Sequence, residues 1–255
     1  MTPPKVPEDM RFDVTVLGSS DAFCSEGHLH AAYLLETSRS TFLVDCGPTV
    51  LLAMKRQGID TGRVDFVVIS HLHGDHFGGL PFLLLEYMWE RPRMRPLLVA
   101  GPPGTEEAVW SLFRALYRDI APARLPFRLE FLELLPEQPV AVADVEILPV
   151  RVPHQAEEIS LALCFAAAGK RVLYSGDSPW DDRFLDLARG VDLFLCECTF
   201  YEKQMGGHVD WHTLSAFVPQ LACRRLVLIH LGREVRAHAG ELGVECATEG
   251  MRIAV

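Results

Sequence analysis

The chain has 255 residues, 49% hydrophobic and 23% charged, which is ordinary globular usage and excludes the polar, highly charged composition of a disordered chain. A formal net charge of -10 argues against non-specific nucleic-acid binding, which draws on clustered Lys and Arg. No apolar run is long enough to span a membrane, and seven cysteines without CxxC pairs suggest neither a disulfide framework nor a zinc finger, so a cytoplasmic protein is expected.

A core of this size buries most of its apolar surface, and one domain over 1–255 is expected, with the Pro-rich start, 1–10, as a flexible tail. Strand-like runs come first, at Phe12–Leu17, Ala32–Glu36 and Thr41–Val44, separated by Gly, Ser and Asp, and they predict an antiparallel start. Beyond Cys46-Gly47-Pro48 a helical pattern covers Thr49–Arg56, and Val64–Ile69 reads as a buried strand ending near His71. Gly78-Gly79 lets the chain turn, and Leu80–Trp89 resumes as a helix with Pro81 in its first turn.

The middle repeats this rhythm with a strand at Pro96–Ala100, a Gly-Pro-Pro-Gly turn, a helix from Thr105 to Tyr117, and strands in Phe127–Leu134 and Val140–Val150. The last third alternates strands Ile159–Ala166 and Arg171–Ser175, a helix near Asp181–Ala188, strand Leu193–Glu197, a helix near Thr213–Ala222 and strand Arg225–Ile229. This order is that of a layered α/β protein, and the shared rhythm of the halves points to two packed sheets. Cys196 and Cys198 lie in an apolar run and read as small core residues rather than ligands.

The densest chemistry falls between Ser70 and Gly78. His71, His73, Asp75 and His76 offer three imidazoles and a carboxylate within six residues, donors that suit Zn, Fe or Mn. Side chains two apart in a turning loop can converge, as the spacing of His71 and His73 allows, and with Asp75 beside His76 as a second pair two adjacent ion sites are suggested.

The run His71-Leu72-His73-Gly74-Asp75-His76 matches HxHxDH, and along nearly all its length the chain resembles the metallo-β-lactamase superfamily. The resemblance implies an α/β fold, an αββα sandwich of two mixed β-sheets packed face to face with helices on the outer faces. It implies that Asp45, in Val44-Asp45-Cys46-Gly47, holds the metal loop by hydrogen bonds. His154, Asp177 and His230, each following a strand-like run, look like the remaining ligands. On this assignment His71, His73 and His154 hold one divalent ion, Asp75, His76 and His230 hold the other, and Asp177 bridges them. Zinc is the expected metal, with Mn2+ or Fe compatible with the same donors.

Glu197-Cys198-Thr199-Phe200 followed by His208 resembles the Glu-x-Thr and downstream His motifs of the ribonuclease Z-like phosphodiesterase branch. The resemblance makes His208, oriented by Glu197, the donor of a proton to the departing alkoxide, and Asp75, His208 and Glu197 the catalytic residues. A phosphodiester's leaving oxygen departs poorly until protonated, so the pairing makes chemical sense. His212 is the alternative acid, and His28 and His30 either line the pocket mouth or are ordinary loop histidines.

The chain shows no long Gly-Pro-rich basic arm, and its acidic balance disfavours folded RNA. The expected substrate is therefore a small phosphodiester: a cyclic nucleotide, a cyclic ribose phosphate or a short oligonucleotide. The family's habit suggests a homodimer. A lactonase or β-lactamase-like hydrolase on the same dinuclear site is the alternative, and a non-catalytic metal-binding protein a third reading that the complete ligand set weighs against.

Overall fold

The computed structural model describes residues 11–121, 124–202 and 206–255, and the tail expected over 1–10 lies outside them. The first sheet opens with antiparallel strands β1 (Phe12–Gly18), β2 (Ala32–Thr37) and β3 (Thr41–Val44). It then turns parallel through β4 (Phe66–Val68), β5 (Leu97–Gly101) and β6 (Leu129–Glu133). The second sheet repeats the plan. Strands β7 (Val140–Val142), β8 (Val145–Val152), β9 (Ser160–Ala167) and β10 (Lys170–Tyr174) are antiparallel, and β11 (Leu193–Glu197), β12 (Leu226–Ile229) and β13 (Glu245–Cys246) add in parallel. The last strand, β14 (Arg252–Ala254), returns to the first sheet and pairs with β1. Both sheets are seven-stranded, in the orders β14-β1-β2-β3-β4-β5-β6 and β13-β12-β11-β10-β9-β8-β7.

Parallel neighbours need crossovers, and these put helices on the outer faces. Helices α1 (Val50–Arg56), α2 (Gly74–Phe77), α3 (Leu80–Leu85) and α4 (Thr105–Leu116) follow strands of the first sheet, and α5 (Arg183–Leu187), α6 (Trp211–Phe217) and α7 (Arg233–His238) those of the second. The strands are apolar on both faces because both are covered. In β3, Phe42 and Val44 enter the core between the sheets, whereas Leu43 packs outward with Met54 of α1 and Leu83 of α3. In β11, Leu193 and Leu195 face the same inner core, and Phe194 and Cys196 face Phe184 of α5 and Leu214 of α6. Phe42 stacks on Phe66 at 4.6 Å and leans on Phe165 of the opposite sheet at 5.5 Å, so one ring locks the two sheets together. The result is the expected αββα sandwich, with Cys196 and Cys198 fully buried in its outer layer.

Three expectations change in detail. Val140–Val150 divides into a hairpin, because Ala143 takes a left-handed φ of 54° and Asp144 is anchored by the hydroxyls of Thr37 (2.7 Å) and Ser40. The helix expected over Leu80–Trp89 relaxes into a π-helical turn at Glu86–Glu90, where buried Glu86 accepts from Thr61 Oγ1 (3.2 Å) and pairs with Lys55 (2.8 Å). The helix expected over Thr213–Ala222 begins at Trp211, capped by the Asp210 carboxylate on Thr213 N, and tightens into a 3-10 turn at Val218–Gln220. Pro219 there lacks the N–H that a continuing α-helix would use. Strands β13 and β14 and helices α2 and α7 carry too little periodicity to be foreseen. Among the described residues no helix is long and apolar enough to cross a membrane.

Candidate active site

Most of the expected site residues lie at or just beyond strand ends, whereas Asp75 and His76 sit in α2 and His208 in the loop before α6. Asp45 follows β3, His71 follows β4, His154 follows β8, Asp177 follows β10, Thr199 follows β11 and His230 follows β12. At these ends the ladder stops and the backbone is free to turn toward a common crevice. The two sheets are stitched there by Leu161 N donating to Ser70 O at 3.0 Å. Asp45 and His230 adopt left-handed backbone, with φ of 57° and 52°, a conformation that costs about 1–2 kcal/mol for an L-residue and persists where tertiary contacts enforce it. Gly176, beside Asp177, has φ of 58°, and a Cβ there would lie 2.4 Å from Leu161 O, so only glycine fits.

Two groups of ligand atoms converge. His71, His73, His154 and Asp177 form one, and Asp75, His76, Asp177 and His230 the other, with the ligand atoms of each group lying within 4.8 Å of one another. Asp177 Oδ2 is common to both. It lies 3.7 Å from His71 Nε2, 3.9 Å from His154 Nε2, 3.2 Å from His76 Nε2 and 3.4 Å from His230 Nε2. Asp75 Oδ2 is 3.3 Å from both His76 Nε2 and His230 Nε2.

The hydrogen bonds behind these groups dictate which nitrogen each ring presents. Asp45, fully buried, accepts from Ser70 N (2.7 Å) and Ser70 Oγ (2.8 Å), and also from His76 Nδ1 (2.7 Å) and Tyr174 Oη (2.5 Å). His71 Nδ1 is 3.1 Å from Ser70 Oγ, and His154 Nδ1 donates to Gly207 O at 2.6 Å. With Nδ1 occupied, Nε2 of each ring turns inward as a lone pair. His73 differs, offering Nδ1, which lies 3.0 Å from His154 Nε2.

Among the described residues, buried His71 Nε2, His76 Nε2 and Asp177 Oδ1 have no hydrogen-bond partner. An unsatisfied buried polar atom costs about 1–3 kcal/mol, and three around one crevice are atoms that a cation would satisfy. Two divalent ions fit this donor set.

Burial, reinforced by the nearby charge of His76, holds the His71 imidazole well below its ordinary value. Burial likewise lowers His73 and His154. Burial also opposes charge on Asp75 and Asp177, but neighbouring imidazoles outweigh it and keep both well below the usual carboxylate range. Neutral imidazoles and ionised carboxylates are the protonation states metal ligation requires. For His76 and His230 the balance tips the other way, the Asp177 carboxylate outweighing burial and raising both.

Beside the second group stands His208. Its Nδ1 is 3.2 Å from Glu197 Oε1 and 3.9 Å from Asp177 Oδ2, and its ring is parallel to that of His230 within 9°, with centroids 5.4 Å apart. Glu197 is fully buried and accepts from Ser178 N (2.6 Å) and Thr199 Oγ1 (2.8 Å). Burial opposes a charge on His208, but the hydrogen bond and charge of Glu197 prevail and push its pKa up to about 9. Glu197, His208 and His230 also converge within 4.8 Å, yet Glu197 is already engaged by Ser178 and Thr199, an arrangement suited to aiming a proton donor.

His212 lies exposed on α6, apart from these groups. His28 pairs with Glu249 at 2.7 Å, and His30 Nε2 lies 3.2 Å from Cys24 Sγ, so neither joins the converging ligand atoms. Sequence reading passed over Ser70, Tyr174 and Gly207. Ser70 was detectable as the neighbour of His71, whereas Tyr174 reads as an ordinary strand aromatic. A cleft of about 500 Å3 opens beside Leu72, lined by Gly104, Glu107, Glu157, Glu158 and Ile159 among others.

Comparison with known proteins agrees with this geometry. The ribonuclease Z of Lachnoclostridium phytofermentans is 27% identical over 270 residues, covering 86% of each chain. The metallo-beta-lactamase fold protein YhfI from Bacillus subtilis superposes with a TM-score of 0.77 at 22% identity, over 96% of this chain and 99% of that one. The short form of human tRNase Z superposes with a TM-score of 0.76 at 24% identity, over 94% and 98%. The family described as Anti-Pycsar protein Apyc1 matches residues 12–248, and with that match spanning both sheets and every residue of the converging groups, the chain belongs to it and has the metallo-β-lactamase fold.

Proposed function

We propose that this metal-dependent phosphodiesterase acts on a small phosphodiester: a cyclic nucleotide, a cyclic ribose phosphate or a short oligonucleotide. One observation carries the reading: a buried carboxylate, Glu197, aims a charged imidazole, His208, at the edge of two converging ligand groups. The likeness to a ribonuclease Z supports the same class of bond.

His71, His73 and His154 would hold one divalent ion and Asp75, His76 and His230 the other, with Asp177 shared. Bound there, two such ions, zinc foremost, supply a water of lowered pKa and offset charge on the phosphoryl oxygens. Asp45 keeps His76 and, through Ser70, His71 in the required tautomer. Asp75 and Asp177 contribute the negative charge that draws cations to the crevice. His208 does the remaining work. With Nδ1–H on Glu197, its Nε2–H is free to pass a proton to the departing alkoxide, and Glu197 keeps the charged form populated near neutral pH. The carboxylates of Glu107, Glu157 and Glu158 beside Leu72 repel a long polyanion and favour a substrate of low charge.

The test is to measure bound metal by elemental analysis and to assay cyclic nucleotides beside a lactone and a β-lactam, with the His208→Ala and Asp177→Ala variants. The expected result is about two metal equivalents and, in His208→Ala, a loss of roughly 10²–10⁴-fold on the cyclic ester. Lactone turnover indifferent to His208→Ala, with phosphodiesters left intact, would move the assignment to a lactonase.

A further inference from the structure

Two hydroxyls occupy corresponding places in the two halves of the site. Ser70 Oγ donates to Asp45 Oδ2 at 2.8 Å and stands 3.1 Å from His71 Nδ1. Thr199 Oγ1 donates to Glu197 Oε2 at 2.8 Å and stands 2.8 Å from His230 Nδ1. In each case a carboxylate, a hydroxyl and an imidazole form a chain that ends on a nitrogen facing the crevice.

A hydroxyl has one proton and two lone pairs. Once the Thr199 proton is committed to the carboxylate, the oxygen can only accept, from His230 Nδ1 at 2.8 Å and from His208 Nδ1 at 3.3 Å. In the neutral ring that ligation requires, the proton then sits on Nδ1 and the lone pair on Nε2, which lies 3.3 Å from Asp75 Oδ2 and 3.4 Å from Asp177 Oδ2. The same hydroxyl holds Glu197 Oε2, while Oε1 accepts from Ser178 N at 2.6 Å and faces His208 Nδ1 at 3.2 Å. Glu197, Thr199 and His230 are all within 3% of complete burial, so water does not stand in for a lost hydroxyl.

We propose that Thr199 is a positioning residue that sets the tautomer of His230 and joins the second ion position to the carboxylate that aims His208. This rests on the reading of the site as a dinuclear phosphodiesterase centre. The ion position fed by His71 depends on Ser70 instead, and the two positions are tuned by separate hydroxyls.

The experiment uses the full chain, stripped of metal, with zinc alone as the probe. Stoichiometry and the two stepwise affinities are read by competition with a chromophoric chelator in the wild type, Thr199→Val, Thr199→Ser and Ser70→Ala. Valine matches threonine in shape but cannot accept or donate. Thr199→Val is expected to weaken one of the two ions by roughly 10–100-fold, the usual effect of losing a partner behind a ligand, with Thr199→Ser restoring it. Ser70→Ala is expected to weaken the other ion while leaving the Thr199-dependent one intact. Circular dichroism of the metal-free proteins checks their folding, and Thr199→Ala replaces the valine variant if valine disturbs packing.

Two wild-type equivalents with both affinities unchanged in the folded non-hydroxyl variant overturn the proposal and leave the site reading standing. So does a serine variant as weak as that variant, because branching rather than the hydroxyl would then matter. A wild type without two equivalents overturns the site reading and the proposal with it.

Discussion

Replacing Glu197 with glutamine removes a negative charge from behind His208 while nearly preserving shape. The charges lie 3.2 Å apart, which at an effective dielectric constant near 20 amounts to about 5 kcal/mol of attraction. Burial of the imidazole opposes part of this, and the net effect is a rise from 6.5 to about 9, equivalent to roughly 3 kcal/mol. The sign follows from the direction of the rise. The protonated acid is present below the raised value and is lost as pH climbs through it, so activity that needs this proton falls on the alkaline side. In Glu197→Gln the alkaline limb of kcat/KM is expected to move toward lower pH by about 1–3 units. Bound cations would lower both limbs together, so the difference between the two proteins is the quantity to measure. The assay is a pH profile on a cyclic nucleotide, whose leaving group is an alkoxide, beside a nitrophenyl diester, whose leaving group departs without a proton. Coincident limbs, or an equal loss on the nitrophenyl ester, would refute the assignment of His208 as proton donor.

Chelation of divalent ions should lower the melting temperature, by an amount corresponding to about 4 kcal/mol for an ion present at a thousand times its Kd; calorimetry with and without chelator measures it. Because ligation needs neutral imidazoles, and the raised His76 and His230 take up protons first as pH falls, zinc affinity should drop between about pH 7.5 and about pH 5, which titration at the two values would show. Gly176→Ala forces a Cβ against Leu161 O and a left-handed φ on alanine, and should destabilise by more than about 1 kcal/mol in urea unfolding. Tyr33 Oη is buried without a partner among the described residues, so Tyr33→Phe should leave stability unchanged or raise it by about 1 kcal/mol; a clear loss would reveal a hydrogen bond to an internal water.

Much of this was legible locally. The run Thr-Phe-Leu-Val of β3 declares a strand buried on both faces, and the structure sends Phe42 and Val44 to one core and Leu43 to the other. The cluster from His71 to His76 announces a metal site because no other use of four such donors in six residues is common. His154, Asp177 and His230 were recoverable because each follows an apolar run, and strand ends are where chains turn inward. What escaped were features with no local pattern. The hairpin at Ala143 depends on Thr37 and Ser40 holding Asp144 from across the chain. Strand β14 has only three residues and exists because β1 offers it an edge.

The sequence by itself determined the layering of the fold and singled out the proposed ligands in chain order, since hydrophobic period and donor type are properties of neighbouring residues. Tertiary structure decided which nitrogen each imidazole presents, that His208 rather than His212 meets Glu197, and that Tyr174 and Ser70 share Asp45. The physical reason is distance along the chain. Tyr174 lies 129 residues from Asp45, and their bond exists only once the two sheets have closed on each other; His230 lies 31 from Thr199, and their bond waits on the parallel pairing of β11 with β12.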